Sequence, residues 1–273
     1  MKEKGFSGKT IGLVILIAMV SALLVPLLSG TAGTVRANPD AKLDLIFCLD
    51  VTGSMEDDID AVKVAATTIV DTLLTGVPDS RVAIVTYRDF GDTPIFVDYA
   101  FSSDETTIIA NINSLTVSGG GDWPEAVYEA LLRAIDSENV GGWRPGVTKV
   151  IILMGDAPPH EAGDSSEYLY TISDVIAAAE AADPVGIHSI VIGDDTDAAT
   201  KFEGLATGTG GSFYTAENAE DAAAKIQAAV EEAMEEATGG AGTDLTMIIV
   251  VVVAVVVVIA IAAVYVTRRP KGH

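Results

Sequence analysis

Apolar runs and amphipathic stretches alternate along the middle of the chain. Six apolar runs bounded by polar or glycine residues predict β-strands, and apolar residues at helical spacing predict six helices. This alternation is typical of a three-layer α/β/α, doubly wound, Rossmann-like fold around a mostly parallel sheet. The predicted strands are residues 43–50, 81–87, 95–101, 149–155, 187–193 and 212–214. The predicted helices are residues 56–74, 104–115, 124–135, 173–182, 198–206 and 219–237.

Two connections in this pattern carry additional predictions. The third strand follows the second after the short link 89–94, with no helix between them, which predicts one antiparallel edge strand. Pro124 and Glu125 suit the first turn of the third helix. Proline loses no hydrogen bond in a first turn, and a carboxylate is stabilised by the positive end of a helix.

Both ends of the chain carry long apolar segments. Lysines at positions 2, 4 and 9 precede an apolar run, and Val35, Arg36 and Ala37 form an acceptable cleavage site. Residues 1–37 are therefore predicted to be a signal peptide or, if uncleaved, a signal anchor. Residues 245–266 carry no charge and are long enough to span a bilayer as a C-terminal transmembrane helix.

The basic tail, residues 267–273, is expected on the cytoplasmic side of the membrane. This places a domain at residues 38–238 outside the cell, joined to the membrane by a glycine-rich hinge at residues 239–244. The prediction is a single-pass protein of the cell membrane.

Acidic residues dominate the predicted external part. Residues 38–244 contain 38 of the 39 acidic residues and 9 of the 16 basic residues. This charge excludes nucleic-acid binding and suits high salt, a calcium-rich exterior or simple solubility. Cys48 is the only cysteine, so an intrachain disulfide is excluded, and its apolar strand predicts a buried side chain.

Oxygen-bearing side chains lie in three segments, two of which follow predicted strands and one of which precedes a helix. Asp50 ends the first strand and is followed by Thr52 and Ser54, and Asp156 ends the fourth strand. Between them, residues 118–125 form a glycine-rich loop that contains Asp122. Because the carboxyl ends of parallel strands meet at one edge of a sheet, these oxygens predict a site for a hard cation. Hydroxyl ligands are neutral, so the metal would keep positive charge for an external anionic oxygen.

At these residues the chain resembles the von Willebrand factor type A family, over residues 42–237. The family's metal-ion-dependent adhesion site uses an Asp-x-Ser-x-Ser loop, a second-loop threonine and a third-loop aspartate. Thr52 replaces the first serine and keeps its hydroxyl. In loop two, Gly121 and Asp122 stand where many members have threonine, within a Gly-Gly-Gly-Asp-x-Pro-Glu sequence that is similar to a known variant.

The resemblance implies direct coordination by Thr52 and Ser54, and coordination by Asp50 and Asp156 either directly or through water. Asp122 is the substitute for the second-loop ligand. The implied metal ligands are Asp50, Thr52, Ser54, Asp122 and Asp156. Mg²⁺ is the first choice of cofactor, with Ca²⁺ and Mn²⁺ as alternatives.

The same positions also suit structural roles. Ser54 or Asp57 can cap the first helix, and Asp104 or Asp122 can cap later ones. Capping and metal ligation are compatible for Ser54.

Three further residues near this rim have two interpretations each. Trp123 is a candidate for stacking on a partner or for packing, and His160 for ligand contact or for an exposed turn without function. Asp89 is a candidate for holding loop one by a hydrogen bond or for a strand-end salt bridge.

The leading functional prediction is a metal-dependent adhesion or protein-binding module. The divalent cation would bridge to a Glu or Asp carboxylate of a protein partner. The alternative is an envelope assembly or scaffold subunit with a structural metal.

A hydrolase is less favoured. Thr52 stands where a haloacid dehalogenase motif needs a second aspartate, no dinucleotide-binding glycine pattern follows a strand, and no nucleophile elbow is present. The chain is predicted not to be an enzyme.

Overall fold

The computed structural model describes residues 40–121 and 123–239, which form one six-stranded sheet covered by helices. The strands stand in the order β3-β2-β1-β4-β5-β6, and every neighbouring pair is parallel except β2 and β3. Their bounds are β1 Lys42–Asp50, β2 Asp79–Tyr87, β3 Phe96–Ser102, β4 Thr148–Gly155, β5 Gly186–Ile192 and β6 Phe213–Ala216. The predicted parallel sheet with one antiparallel edge strand is confirmed.

Helices cover both faces of the sheet. Residues of α1, α2 and α6 pack in one hydrophobic core, and residues of α3, α4 and α5 pack in the other. The helices are α1 Glu56–Gly76, α2 Glu105–Asn113, α3 Val127–Asp136, α4 Ile172–Ala181, α5 Thr196–Thr209 and α6 Ala219–Thr238. Short 3-10 turns cover Gly53–Met55 and Glu138–Val140. The three-layer prediction is therefore confirmed for the described residues.

The central strand β1 is buried on both faces, which explains its continuous apolar sequence. Leu45 and Phe47 point to the core of α1, α2 and α6, whereas Ile46 and Cys48 point to the opposite core. Cys48 is fully buried, as predicted, and burial raises the pKa of its thiol far above the ordinary range. It is a packing residue of the core.

The prediction for the start of the third helix is wrong. The helix begins at Val127, so Pro124 and Glu125 lie in the loop that precedes it. Glu125 is 2% exposed, and its carboxylate lies inside the molecule instead of at an exposed helix end.

The strand order places a topological switch point between β1 and β4. From β1 the chain continues to β2 and β3 on one side, and it returns through β4 to β5 and β6 on the other. Crevices at such points, outside the carboxyl ends of the strands, are the usual ligand sites of open α/β sheets. Asp50 and Asp156 lie at these two strand ends.

The predictions for the ends of the chain fall outside the described residues. These are the signal segment 1–37, the hinge beyond Gly239, the transmembrane helix 245–266 and the tail 267–273. Between residues 40 and 239, no described helix combines the length and the apolar character needed to cross a bilayer.

Candidate metal centre at the carboxyl edge of the sheet

Loop 1, residues 51–55, gathers three oxygen-bearing side chains after β1. The backbone N–H and the hydroxyl of Thr52 both donate to Asp50 Oδ1, at 2.8 and 2.7 Å. Thr52 Oγ1 and Ser54 Oγ lie 3.3 Å apart. Asp50 and Thr52 are buried, and the 3-10 turn that starts at Gly53 carries Ser54 beside them. The predicted alternation of one carboxylate and two hydroxyls is thus present as one cluster.

Loop 2, residues 116–126, is fastened to loop 1 by backbone hydrogen bonds. Gly53 donates to the Gly119 carbonyl at 3.1 Å, and Ser118 donates to the Val51 carbonyl at 3.0 Å. Gly120 has a φ of 65°, and a Cβ there would lie 2.6 Å from Thr52 Cβ. Glycine is therefore required at this position for the two loops to approach so closely.

Asp156 joins the same cluster from loop 3, residues 156–171. Its carboxylate accepts a hydrogen bond from Ser54. The preceding Gly155 leaves room for two neighbouring side chains, because a Cβ there would lie 2.4 Å from Tyr87 Oη and 3.2 Å from Asp50 Oδ2. The structure therefore brings Asp50, Thr52, Ser54 and Asp156 together, as the sequence predicted. The fifth predicted ligand, Asp122, lies outside the described residues.

Glu125 is a site residue that the sequence analysis assigned to a helix end. Its backbone links loop 2 to loop 3, since its N–H donates to Pro158 at 3.0 Å and its carbonyl accepts from His160 at 3.2 Å. Its Oε1 would be 3.0 Å from a Cβ at Gly120, the same point that lies against Thr52. The carboxylate therefore faces the cluster. The sequence feature that could have identified Glu125 as a site residue is its position at the end of the Gly-Gly-Gly-Asp-x-Pro-Glu motif.

Three carboxylate oxygens in this region are buried without a hydrogen-bond partner among the described residues. They are Asp50 Oδ2, Asp156 Oδ1 and Glu125 Oε2. A buried polar atom without a partner costs roughly 1–3 kcal/mol, and more if it is charged. These oxygens therefore mark a place where a cation would be stabilised.

The pKa values of these three carboxyl groups also reflect the negative charge that is buried in this region. Burial raises the pKa of Asp50 to about 7, against the lowering effect of the Thr52 hydrogen bonds, and the Asp156 and Asp89 charges raise it further. Burial also raises the pKa of Glu125 to about 9, with additional repulsion from Asp50 and Asp89. The pKa of Asp156 is raised as well, chiefly by burial. A bound cation would oppose all three shifts.

This donor set fits a hard divalent cation. Over residues 40–121 and 123–239, no three acidic, histidine or cysteine side chains are arranged as a metal site by themselves. The cluster instead combines carboxylates with the hydroxyls of Thr52 and Ser54, and such all-oxygen sets suit Mg²⁺, Ca²⁺ or Mn²⁺.

His160 is buried at 5% exposure, so the prediction of an exposed turn histidine is wrong. Its Nε2 lies 2.6 Å from Asp89 Oδ1, and its ring stacks on Tyr168 at 3.8 Å between centroids. Phe90 packs against the same imidazole edge-on. His160 therefore joins loop 3 to the end of β2 through its contact with Asp89.

Asp92, which the sequence analysis did not single out, supports loop 2. Its Oδ2 accepts from the backbone N–H of Gly120 at 2.9 Å and of Asp89 at 3.3 Å. Trp123, the other predicted rim residue, has 48% of its surface exposed. It lines an open cleft with Asp156, next to the cluster.

The comparisons with known proteins agree with this fold. The model of the von Willebrand factor type A domain matches residues 44–235. Integrin beta pat-3 of Caenorhabditis elegans is 25% identical over 153 residues, which cover 48% of this chain and 19% of that integrin. The chain spans at most 19% of the length of the first curated relatives it matches.

Solved structures that share the fold include an adhesin and a protein of unassigned function. The pilus adhesin SpaC from Lactobacillus rhamnosus GG, in its open conformation, superposes with a TM-score of 0.56 at 14% identity, over 72% of this chain and 30% of that one. The conserved hypothetical protein BatB from Bacteroides thetaiotaomicron gives a TM-score of 0.52 at 18% identity, over 71% of this chain and 99% of that one. With the family match over residues 44–235, the chain belongs to the von Willebrand factor type A domain family.

Proposed function

We propose that this chain is a cell-surface adhesion or protein-binding module in which a divalent cation bridges to an acidic group of a protein partner. The observation that carries the proposal is the set of buried carboxylate oxygens without a partner, on Asp50, Asp156 and Glu125, beside the hydroxyls of Thr52 and Ser54. They converge at the switch point of the sheet, where ligands bind in folds of this kind.

The roles of the residues follow from their chemistry. Thr52 and Ser54 would offer neutral hydroxyl oxygens, and Asp50 and Asp156 would offer charge, either directly or through water. The metal, with Mg²⁺ preferred over Ca²⁺ or Mn²⁺, would supply a positive centre for a Glu or Asp carboxylate of the partner. Such a centre explains how a chain with a net charge of −23 binds an acidic group at all.

The relatives support a binding role. An integrin beta chain and a pilus adhesin carry the same domain or fold. We propose that residues 245–266 anchor the protein in the membrane, with the domain outside the cell and the C-terminus inside. We also propose that the chain has no catalytic activity, and we expect no turnover of phosphate or carboxylate esters.

A second function is favoured by Glu125. A third buried carboxylate near the metal would neutralise its remaining positive charge, which would remove its attraction for a partner's carboxylate. The module would then be an envelope assembly or scaffold subunit with a structural metal. If the metal is structural, a partner stays bound to the Asp50→Ala variant. If the cation bridges to the partner, the same variant no longer binds it.

Calorimetric titration of the full-length chain with MgCl₂ and CaCl₂ tests the metal site. Asp50→Ala and Asp156→Ala should each weaken binding by at least about 10–100-fold, since each removes a charged group from the cluster. Asp136→Ala removes an exposed carboxylate at the end of α3 and should leave the affinity unchanged. Unchanged affinity in both Asp50→Ala and Asp156→Ala would reject the proposed ligands.

Binding of a fluorescent peptide with a single aspartate tests the bridging role. We expect saturable binding in Mg²⁺ that is lost in EDTA and in Asp50→Ala. Metal binding without any peptide binding would support the closed, structural site instead.

A further inference from the structure

His188 is a fully buried histidine that has no part in the candidate metal centre. It lies on β5, beside Ile152 of β4, on the face of the sheet that α6 covers. Histidine is the side chain whose ordinary pKa lies nearest to neutrality. The groups around this ring therefore decide what a change in pH does at the contact between the sheet and α6.

The ring is held in its neutral form by the backbone. The N–H of Ser212 donates to His188 Nδ1 at 3.0 Å, so Nδ1 carries no proton and the single ring proton lies on Nε2. Ser212 is fixed at this place, because its carbonyl accepts from the Ser189 N–H at 2.9 Å. The preceding Gly211 passes β5 so closely that a Cβ there would lie 2.2 Å from the Ile187 carbonyl oxygen. The neutral ring thus holds the segment that leads into β6.

Two carboxylates of α6 face the same ring. Glu236 Oε1 lies 3.0 Å from Nε2, which has no well-aligned hydrogen-bond partner among the described residues. Glu232 Oε2 lies 3.7 Å from Nδ1 and accepts a hydrogen bond from the Tyr214 hydroxyl of β6, and Glu231 adds negative charge near that phenol. Over residues 40–121 and 123–239, neither Glu232 nor Glu236 forms an ion pair with a lysine or an arginine. A charged His188 would be their cationic partner.

A second proton on the ring would change its partners. It would occupy Nδ1, which then could not accept from Ser212, because two N–H donors would face each other. The charged ring would instead attract Glu232 and Glu236, and hydrogen bonds between charged partners are stronger than neutral ones. The two glutamate side chains are 39% and 38% exposed, so they have room to turn toward the ring.

We infer that His188 is a pH-operated switch: its neutral ring holds the segment that leads into β6, and its charged ring holds the C-terminal part of α6. This helix ends at Thr238, directly before residues 239–244, the predicted hinge. The switch would therefore act where the last helix of the domain continues toward the predicted membrane anchor. It uses no residue of the candidate metal centre, so it does not depend on the proposed function.

Hydrogen exchange of the full-length chain, measured by mass spectrometry between about pH 5 and pH 8, tests the switch. Protection factors remove the direct effect of pH on exchange. As the pH falls, protection of residues 210–216 should decrease about three- to tenfold, the effect of losing one hydrogen bond. Protection of residues 232–239 should increase over the same range. Two opposite changes with one midpoint distinguish a switch from a general loss of stability in acid.

Variants of the chain assign the response to this cluster. His188→Asn removes the titration and keeps an acceptor near the position of Nδ1, so protection of residues 210–216 should not depend on pH. Glu232→Gln together with Glu236→Gln should abolish the increase in α6. It should also move the decrease at residues 210–216 to lower pH, because the charged ring loses its partners. Glu235→Gln, at an exposed position on the same helix, should behave like the wild-type chain.

Nitrogen-15 NMR of the chain labelled at its three histidines reports on the ring directly. The signals of His188 are identified with His160→Gln and His273→Gln, so this measurement remains if His188→Asn folds poorly. The ring should change from the neutral form with a proton on Nε2 to the charged form over the same pH range as the exchange response.

The possible outcomes decide the inference without reference to the metal. Protection that does not change with pH in the wild-type chain, or a ring that stays neutral at about pH 5, overturns it. The same changes in His188→Asn would assign the titration to another group and overturn it as well. The response should persist in Asp50→Asn, and its loss there would attribute it to the metal cluster and reject the switch. Failure of the metal and peptide binding described above would leave this inference standing.

Discussion

At the scale of single residues, the site depends on glycines, which have no side chain, as much as on the residues that offer ligand atoms. Gly120 and Gly155 leave space that Thr52, Asp50 and Tyr87 occupy or approach. These glycines are the reason that loops from separate strands come within hydrogen-bonding distance. Their contribution is geometric, since they bring no ligand atom themselves.

Gly155→Ala tests this role. The added Cβ would meet Tyr87 Oη at 2.4 Å and Asp50 Oδ2 at 3.2 Å, and neither buried side chain has room to move away. We expect a loss of about 1–3 kcal/mol in the free energy of unfolding and weaker Mg²⁺ binding, because overpacking shifts the neighbouring groups. Urea unfolding and calorimetric titration measure the two effects.

Gly121→Ala is the matched control for that substitution. No described residue has an atom within 4 Å of a Cβ at position 121, so stability and affinity should stay close to those of the wild-type chain. Equal behaviour of the two alanine variants would show that space at Gly155 does not shape the site.

At the scale of elements, the sequence predicted all six strands and all six helices, with differences of a few residues at their ends. The pattern of apolar residues was sufficient to predict these elements because β1, β4 and β5 are buried on both faces and the helices are amphipathic. Asp104 was proposed as a helix cap and is one, since its Oδ1 accepts from Thr107 N–H at 2.8 Å.

Local pattern could not place Glu125 or His160. An acidic residue after proline is compatible with a helix start whether its carboxylate faces solvent or the interior. The hydrogen bonds between loop 2 and loop 3 decide which way the Glu125 carboxylate faces. In the same way, a histidine after two prolines suits an exposed turn until Asp89 and Tyr168 are brought beside it from elsewhere in the chain. Both errors occurred where separate loops meet at the site.

The Asp104 cap gives a prediction with a defined dependence on pH. Hydrogen bonds from the Thr107 hydroxyl and backbone lower the pKa of Asp104 below its ordinary value of 3.8. The unfolded chain therefore binds this proton more readily, so the cap stabilises the fold fully above the ordinary value and is lost as pH falls through the folded value. Asp104→Ala should lower the Tm at neutral pH, with a difference from wild type that shrinks in acid.

Asp104→Asn separates the cap from the charge. Asparagine caps a helix without titrating, so this variant should stay near the wild-type Tm at neutral pH and lose little of its cap in acid. Thermal melts of the three proteins across the acidic range provide the comparison. A deficit in Asp104→Ala that is independent of pH would contradict an ionised cap.

At the scale of the whole molecule, negative charge is the dominant feature. The chain carries a net charge of −23, and several of its carboxylates are buried together at one edge of the sheet. Repulsion among them opposes folding, and both screening salt and a bound cation relieve it. The two effects differ because screening acts on the entire surface, whereas a bound ion acts at Asp50 and its neighbours.

Mg²⁺ should therefore stabilise the fold beyond the effect of ionic strength. At a free concentration about 100 times the Kd, a ligand that binds only the folded state adds about 2.7 kcal/mol, which corresponds to roughly 5–10 °C in Tm for a domain of this size. The comparison is between MgCl₂ and NaCl at equal ionic strength. In Asp50→Asn, whose side-chain oxygen still accepts from Thr52, both salts should give the same Tm. A Mg²⁺-specific increase that survives in Asp50→Asn would place the stabilising ion away from the end of β1.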